Sequence, residues 1–246
     1  MTESTFLLVH GSWMGKFCWS EVIPRLEEKG FTATSLDLPA HGDDPTTPES
    51  VTLDSYRDSV VAAVGERDNI ILVGHSMSGM VISSVGETIP TQIKALVYLC
   101  AYLPQDGESI YQLASEDTDT KMMSYWRQNN PERDSPAWLA KEGIIEVFGE
   151  DCPPKYQELL VAHHRVEPML PCTSPVKLTD ENFGSVPRYY IETLNDNAVS
   201  HQHQVLMLGR VSVKRKFQLQ SSHCPFFSMP KQLVECLIEV IENEDY

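Results

Sequence analysis

The run Ile70-Ile71-Leu72-Val73-Gly74-His75-Ser76-Met77-Ser78-Gly79 carries the clearest chemistry in this chain of 246 residues. A β-branched apolar stretch meets a serine among small residues, and a helical pattern starts at once. A strand that turns sharply into a helix at a serine presents the hydroxyl as a nucleophile. The next amide, at the helix N-terminus, can then receive an oxyanion. Ser76 is the expected nucleophile and the Met77 amide an expected oxyanion donor. The usual G-x-S-x-G spacing would put glycine at 78. Ser78 stands there with Gly79 after it, and serine is small enough to read as a tolerated variant.

A serine hydroxyl needs a base, and the base needs an orienting acid. In chain order after such a serine, the acid comes first and the histidine second. Asp196 follows the strand-like Tyr189-Tyr190-Ile191-Glu192-Thr193, and His223 follows Lys216-Phe217-Gln218-Leu219-Gln220. Loops at the C-terminal ends of parallel strands converge on one site, so Ser76, Asp196 and His223 are the expected triad. Asp37 and Asp106 are rival acids, and Asp106 reads as a turn in Pro104-Gln105-Asp106-Gly107. After the first strand, His10-Gly11-Ser12-Trp13 places a second oxyanion donor at the Ser12 amide, with Gly11 allowing close approach and His10 turning the loop. His41 reads as a turn residue in a polar loop. His201 and His203 do not share a helix face, and no carboxylate or cysteine cluster completes a metal site, so neither metal nor cofactor is expected.

These residues need a scaffold of parallel strands. Strand-like runs at 5–9, 31–38, 70–73, 93–100, 187–193 and 214–220 alternate with helical patterns at 19–29, 52–64, 76–89, 200–208 and 231–242. That rhythm predicts an α/β fold: a mostly parallel sheet of about six strands flanked by helices. Thr52 or Ser50 is a plausible cap for the second helix, and Gly74 is expected to end its strand. The rhythm fails over 104–186, which is rich in Met, Trp and Tyr. Residues 1–103 and 187–246 are therefore read as the core and 104–186 as a small helical cap inserted after the fourth core strand. The expected substrate pocket comprises Gly11, Trp13, His75, Met122, Trp126, Trp138 and Cys224, with Met123 on the cap's inner face.

Composition excludes several classes. Thirty-five acidic against nineteen basic residues give a net charge of −16, which disfavours nucleic acid and anionic membranes as partners. The six cysteines form no CxxC pair, and the start MTESTFLLVHG lacks a basic leader. Both features point to a cytoplasmic protein with mostly reduced thiols. A small-molecule ester is the expected partner, and a monomer or homodimer the expected state.

Taken together, His10-Gly11-Ser12-Trp13, Asp37-Leu38-Pro39-Ala40-His41-Gly42, the Ser76 turn, Asp196 and His223-Cys224-Pro225-Phe226 resemble the α/β-hydrolase superfamily. The chain is similar to its compact branch of plant methyl esterases, hydroxynitrile lyases and bacterial pyrethroid- or aryl-ester-hydrolysing esterases. The resemblance implies a serine carboxylesterase acting on small to medium, mainly apolar esters through an acyl-enzyme. It also leaves open a hydroxynitrile lyase-like activity, a cofactor-free oxygenase and a slow-turnover ligand receptor. The lyases of this branch carry a threonine after the first-strand histidine and a lysine after the catalytic one. Gly11 and Cys224 stand at those positions, so a cation for a leaving cyanide is missing.

Overall fold

The computed structural model describes residues 4–130 and 135–244. Six strands form one sheet: β1 (Thr5–Val9), β2 (Thr32–Leu36), β3 (Ile70–His75), β4 (Ile93–Leu99), β7 (Arg188–Thr193) and β8 (Arg215–Leu219). Their order is β2-β1-β3-β4-β7-β8 and every neighbouring pair is parallel. Side chains of a strand alternate between faces, and at the centre of the sheet both faces are covered, which is why β1, β3 and β4 read as near-continuous apolar runs while the edge strands β2 and β8 do not. Phe6, Leu8, Ile71, Val73 and Val97 pack on one side with Leu26 of α1 (Ile23–Glu28) and Leu233 and Leu237 of α11 (Pro230–Glu244). Leu7, Val9, Leu72, Leu96 and Tyr98 pack on the other side. Their partners there are Tyr56 and Val60 of α2 (Leu53–Val64), Val81 and Val85 of α3 (Ser78–Thr88), and Met207 of α9 (His201–Leu208).

The strand order reverses between β1 and β3, the topological switch point at which open α/β sheets bind ligands. The loops after β1, β3, β7 and β8 carry Ser12, Ser76, Asp196 and His223 respectively.

Local signals explain most boundaries. Thr52 caps α2, its hydroxyl taking the Ser55 amide at 3.1 Å while the Ser55 hydroxyl takes the Thr52 amide at 2.9 Å. The helix expected over 19–29 is shorter. Trp19 closes a 3-10 turn, and α1 begins at Ile23 with Pro24 in its first turn, where a missing amide hydrogen costs nothing. The strand expected to stop at Gly74 continues to His75, paired with Leu99. Glycine is needed inside that strand because a Cβ there would lie 2.7 Å from the Ser78 carbonyl oxygen of α3.

Among the described residues between β4 and β7 lie five short α-helices, α4 (Ile110–Ser115), α5 (Met122–Tyr125), α6 (Lys141–Phe148), α7 (Pro154–Ala162) and α8 (Leu170–Thr173). They are joined by an antiparallel hairpin of β5 (Trp126–Gln128) and β6 (Ala137–Leu139), so the segment is not purely helical. Its buried side chains join the sheet's own two clusters: Met122, Ile144 and Phe148 on one face, Leu113, Met169 and Val176 on the other. α10 (Pro225–Ser228) follows the His223 loop. All six cysteines are free thiols. Among the described residues no helix is long and apolar enough to cross a membrane.

Candidate active site

Ser76 stands at the end of β3 with φ of +55°, a left-handed conformation that strains a residue with a side chain. The surroundings hold it there. Its amide donates to the Leu99 carbonyl, and its carbonyl accepts the amides of Gly79 and Tyr102, all at 3.1 Å. Two neighbours must lack a side chain for this turn to form. A Cβ on Gly11 would lie 2.7 Å from that of Ser76, and one on Gly79 would lie 1.9 Å from the Tyr102 carbonyl oxygen. Ser78 occupies the position usually given to glycine without collision, and its hydroxyl donates to the His10 carbonyl, tying the turn to the loop after β1.

His223 is fully buried. Its Nδ1–H donates to Asp196 Oδ2 at 2.7 Å. That leaves Nε2 with the free lone pair, and this atom is buried without a partner among the described residues. Asp196 is held in turn. Oδ1 accepts the amides of Ala198 and Val199 at 2.8 and 3.0 Å, and Oδ2 also accepts the Thr193 hydroxyl at 2.7 Å. The His223 loop is anchored from α6's end of the chain, where Asp151 accepts the Ser222 amide at 2.9 Å. The two rival acids are occupied elsewhere. Asp37 pairs with Lys16 at 3.1 Å, and Asp106 accepts the Leu178 amide at 2.8 Å.

In the loop after β1, His10 Nδ1–H donates to the Gly11 carbonyl at 2.8 Å and Nε2 accepts the Leu38 amide at 3.1 Å. Trp13 has φ of +61°. The amides of Ser12 and Met77 donate no hydrogen bond among the described residues. His41, read from sequence as a turn residue, is instead fully buried, 3.0 Å from Glu167, which is also fully buried. Burial disfavours the charged ring, but the Glu167 charge and hydrogen bond outweigh it and raise the His41 pKa.

Ser76 opens into a cavity of about 400 Å³, with Trp13, Met122, Trp126, Phe148, Met169 and Val199 among its walls. Ser12, Tyr102, Tyr111, Ser115, Asp117 and Gln128 add polar groups. Phe148 also covers His223, with ring centroids 5.6 Å apart. His75, Cys100 and His223 bring ligand-type atoms within 4.8 Å of one another. Each has one atom engaged, Asp196 holding His223 Nδ1 and the His223 carbonyl taking His75 Nε2 at 2.9 Å and Cys100 Sγ at 3.5 Å, while His223 Nε2 and His75 Nδ1 have no partner among the described residues.

The sequence profile of the alpha/beta hydrolase family matches residues 6–236. The chain belongs to that family. Putative methylesterase 14, chloroplastic, of Arabidopsis thaliana is 30% identical over 249 residues, covering 96% of this chain and 72% of its own. Methylesterase 7 of the same plant is 27% identical over 98% of this chain and 97% of its own. The crystal structure of polyneuridine aldehyde esterase superposes with a TM-score of 0.89 at 25% identity, covering 97% of this chain and 99% of that one. Relatives of this kind support a carboxylic ester hydrolase.

Of the pocket expected from sequence, the hydrolase brings Trp13, Met122 and Trp126 to the cavity. Four of the expected pocket residues, His75, Cys224, Gly11 and Trp138, do not line it. His75 and Cys224 are fully buried beside His223 and do not line it. Gly11 contributes the close backbone approach to Ser76 rather than a wall. Trp138 lies on β6, where Ala137 and Leu139 take the buried face and alternation turns the indole the other way. Met123 also lines the cavity, though its side chain is 63% exposed. Tyr102, Asp117, Gln128 and Val199 are wall residues that no sequence pattern singled out.

The hydrolase buries several neutral imidazoles, and this sets its acid stability. Burial lowers His10 from 6.5 to about 3 and His164 to about 4, and pushes His75 and His203 down as well. As pH falls below 6.5 the unfolded chain binds these protons and the folded one does not, so stability falls. His41, raised, has the opposite sign and is outnumbered. The melting temperature, followed by scanning fluorimetry, is expected to drop steadily between about pH 6.5 and pH 4. A melting temperature that rises over this window contradicts the account.

Proposed function

We propose that this hydrolase is a serine carboxylesterase for small to medium, mainly apolar carboxylic esters, working through Ser76, His223 and Asp196. The observation that carries the reading is the state of His223. One nitrogen is fixed by a buried carboxylate, and the other is bare and buried in a ring whose centroid lies 4.5 Å from that of His75, the residue before Ser76, which opens into an apolar cavity. In the first step His223 Nε2 takes the Ser76 proton and Oγ attacks the ester carbonyl. The carbonyl electron pair moves to oxygen, where the amides of Ser12 and Met77 receive it; each such donor contributes about 3 kcal/mol to the barrier reduction. Asp196 keeps the imidazole in the required tautomer and stabilises its charged form. The tetrahedral intermediate collapses, His223 gives its proton to the leaving alcohol, and an acyl group remains on Ser76. In the second step His223 deprotonates water, which attacks the acyl carbon, and the acid departs as Ser76 regains its proton.

Residues 104–186 act as the cap over this cavity in the same reading. Methionine walls are adaptable, so acyl groups of different shape are accommodated between Met122, Met169 and Phe148. A fluorophosphonate tests the whole proposal. It should form one covalent adduct, found by mass spectrometry on the peptide containing Ser76, and hydrolysis of p-nitrophenyl butyrate should stop in proportion. Hydrolysis that survives complete labelling, or an adduct only at another residue, overturns it.

A further inference from the structure

We infer that Glu167 is a positioning residue for the oxyanion hole: from the segment between β4 and β7 it fixes the peptide that follows Ser12. The inference rests on the serine esterase reading above. Glu167 is fully buried and spends its acceptors on the loops around the site. Oε2 takes the Trp13 amide at 2.9 Å and His41 Nε2–H at 3.0 Å, and Oε1 takes the Tyr56 hydroxyl at 3.3 Å. Its own backbone is fixed by a reciprocal pair with Ala137, at 2.9 and 2.7 Å.

The geometry acts on Ser12 from both sides. The Ser12 N–H belongs to the Gly11–Ser12 peptide, whose carbonyl takes His10 Nδ1–H. The next peptide carries the Trp13 N–H, which Glu167 holds. Peptides are planar and trans, so pinning two successive planes leaves the Ser12 amide a single direction. The Trp13 conformation that follows is left-handed, and such strain persists only where surroundings over-determine it. They do so here: the Trp13 carbonyl accepts the Arg165 amide at 3.0 Å, and its indole N–H donates to the Ala137 carbonyl at 3.1 Å. Every one of these partners of Trp13 comes from the inserted segment.

The test is kinetic, with p-nitrophenyl butyrate and three variants beside wild type and Ser76→Ala. Glu167→Asp keeps the charge but withdraws the oxygens by one methylene, and Glu167→Ala removes them. Each should lower kcat by about ten- to a hundredfold, somewhat less than outright loss of a donor, and change KM by less than about threefold. Glu167→Gln retains an oxygen for the Trp13 amide and should recover kcat to within about threefold of wild type. If Glu167→Ala does not fold, Glu167→Asp against Glu167→Gln makes the same comparison. Should the variants lower the melting temperature yet keep kcat, assayed well below their midpoints, Glu167 is only structural and the inference fails. Turnover that Ser76→Ala leaves intact removes the esterase reading and this inference with it, whereas Ser76-dependent turnover with kcat unchanged in Glu167→Asp removes the inference alone.

Discussion

Ser76→Ala and His223→Ala should each lower kcat for a p-nitrophenyl ester by about a millionfold, and the double variant should lose no more than either. The serine is useless without a base to take its proton, and the base is useless without the serine, so the losses do not add. Asp196→Asn should cost less, about ten-thousandfold, and the hydrogen bonds give the reason. The Ala198 and Val199 amides both point at Oδ1 and demand an acceptor there. The amide oxygen of the substituted side chain takes that place, which turns its NH₂ toward His223 Nδ1. The ring proton is then driven to Nε2, and the lone pair that should accept the Ser76 proton is gone. Steady-state kinetics with folding checked by circular dichroism decides the matter. A Ser76→Ala enzyme within tenfold of wild type would place the nucleophile elsewhere.

Gly79→Ala should be the most damaging conservative change to stability. Its new Cβ would sit 1.9 Å from the Tyr102 carbonyl oxygen and 3.1 Å from the Ala101 Cβ. Both sides of the first collision are backbone, and the Tyr102 amide is itself bound to the Ser76 carbonyl. No rotamer change relieves it, so α3 must move off β4, at a cost of about 3 kcal/mol or more. Ser78→Gly makes a sharp contrast. It restores the usual glycine spacing and removes only the hydroxyl bonded to the His10 carbonyl, for a loss of about 1–2 kcal/mol. Urea unfolding of the two variants measures both, and a Gly79→Ala midpoint equal to that of wild type would refute the steric argument.

Those two positions also mark how far the chain could be read before it was seen folded. The sheet's centre was legible because strands buried on both faces carry unbroken apolar runs, and the expected triad was drawn from the loops that follow three strands, Ser76 directly after β3, Asp196 and His223 a few residues after β7 and β8. The Gly79 requirement was half legible. A small residue after the turn is visible in the letters, but which of positions 78 and 79 faces the Tyr102 carbonyl depends on helix phase, and that needs three dimensions. Trp138 was misplaced for a similar reason. Its composition suits a pocket wall, yet hairpin register turns it outward. Glu167 was invisible. It lies in the polar stretch His163-His164-Arg165-Val166-Glu167, and only tertiary contacts with His41, Tyr56 and Trp13 distinguish a buried acceptor from a solvated carboxylate.

The position of β3 between β1 and β4 has one more consequence, best put in terms of backbone hydrogen exchange. Amides of a strand paired on both edges open only in the rarest fluctuations, while an edge strand can peel away alone. Ser76 ends a central strand, whereas His223 follows β8, which borders the sheet. Ser76 therefore belongs to the slowest-exchanging part of the molecule and His223 to a faster one, and partial opening at the β8 edge separates the pair while the sheet's centre is still closed.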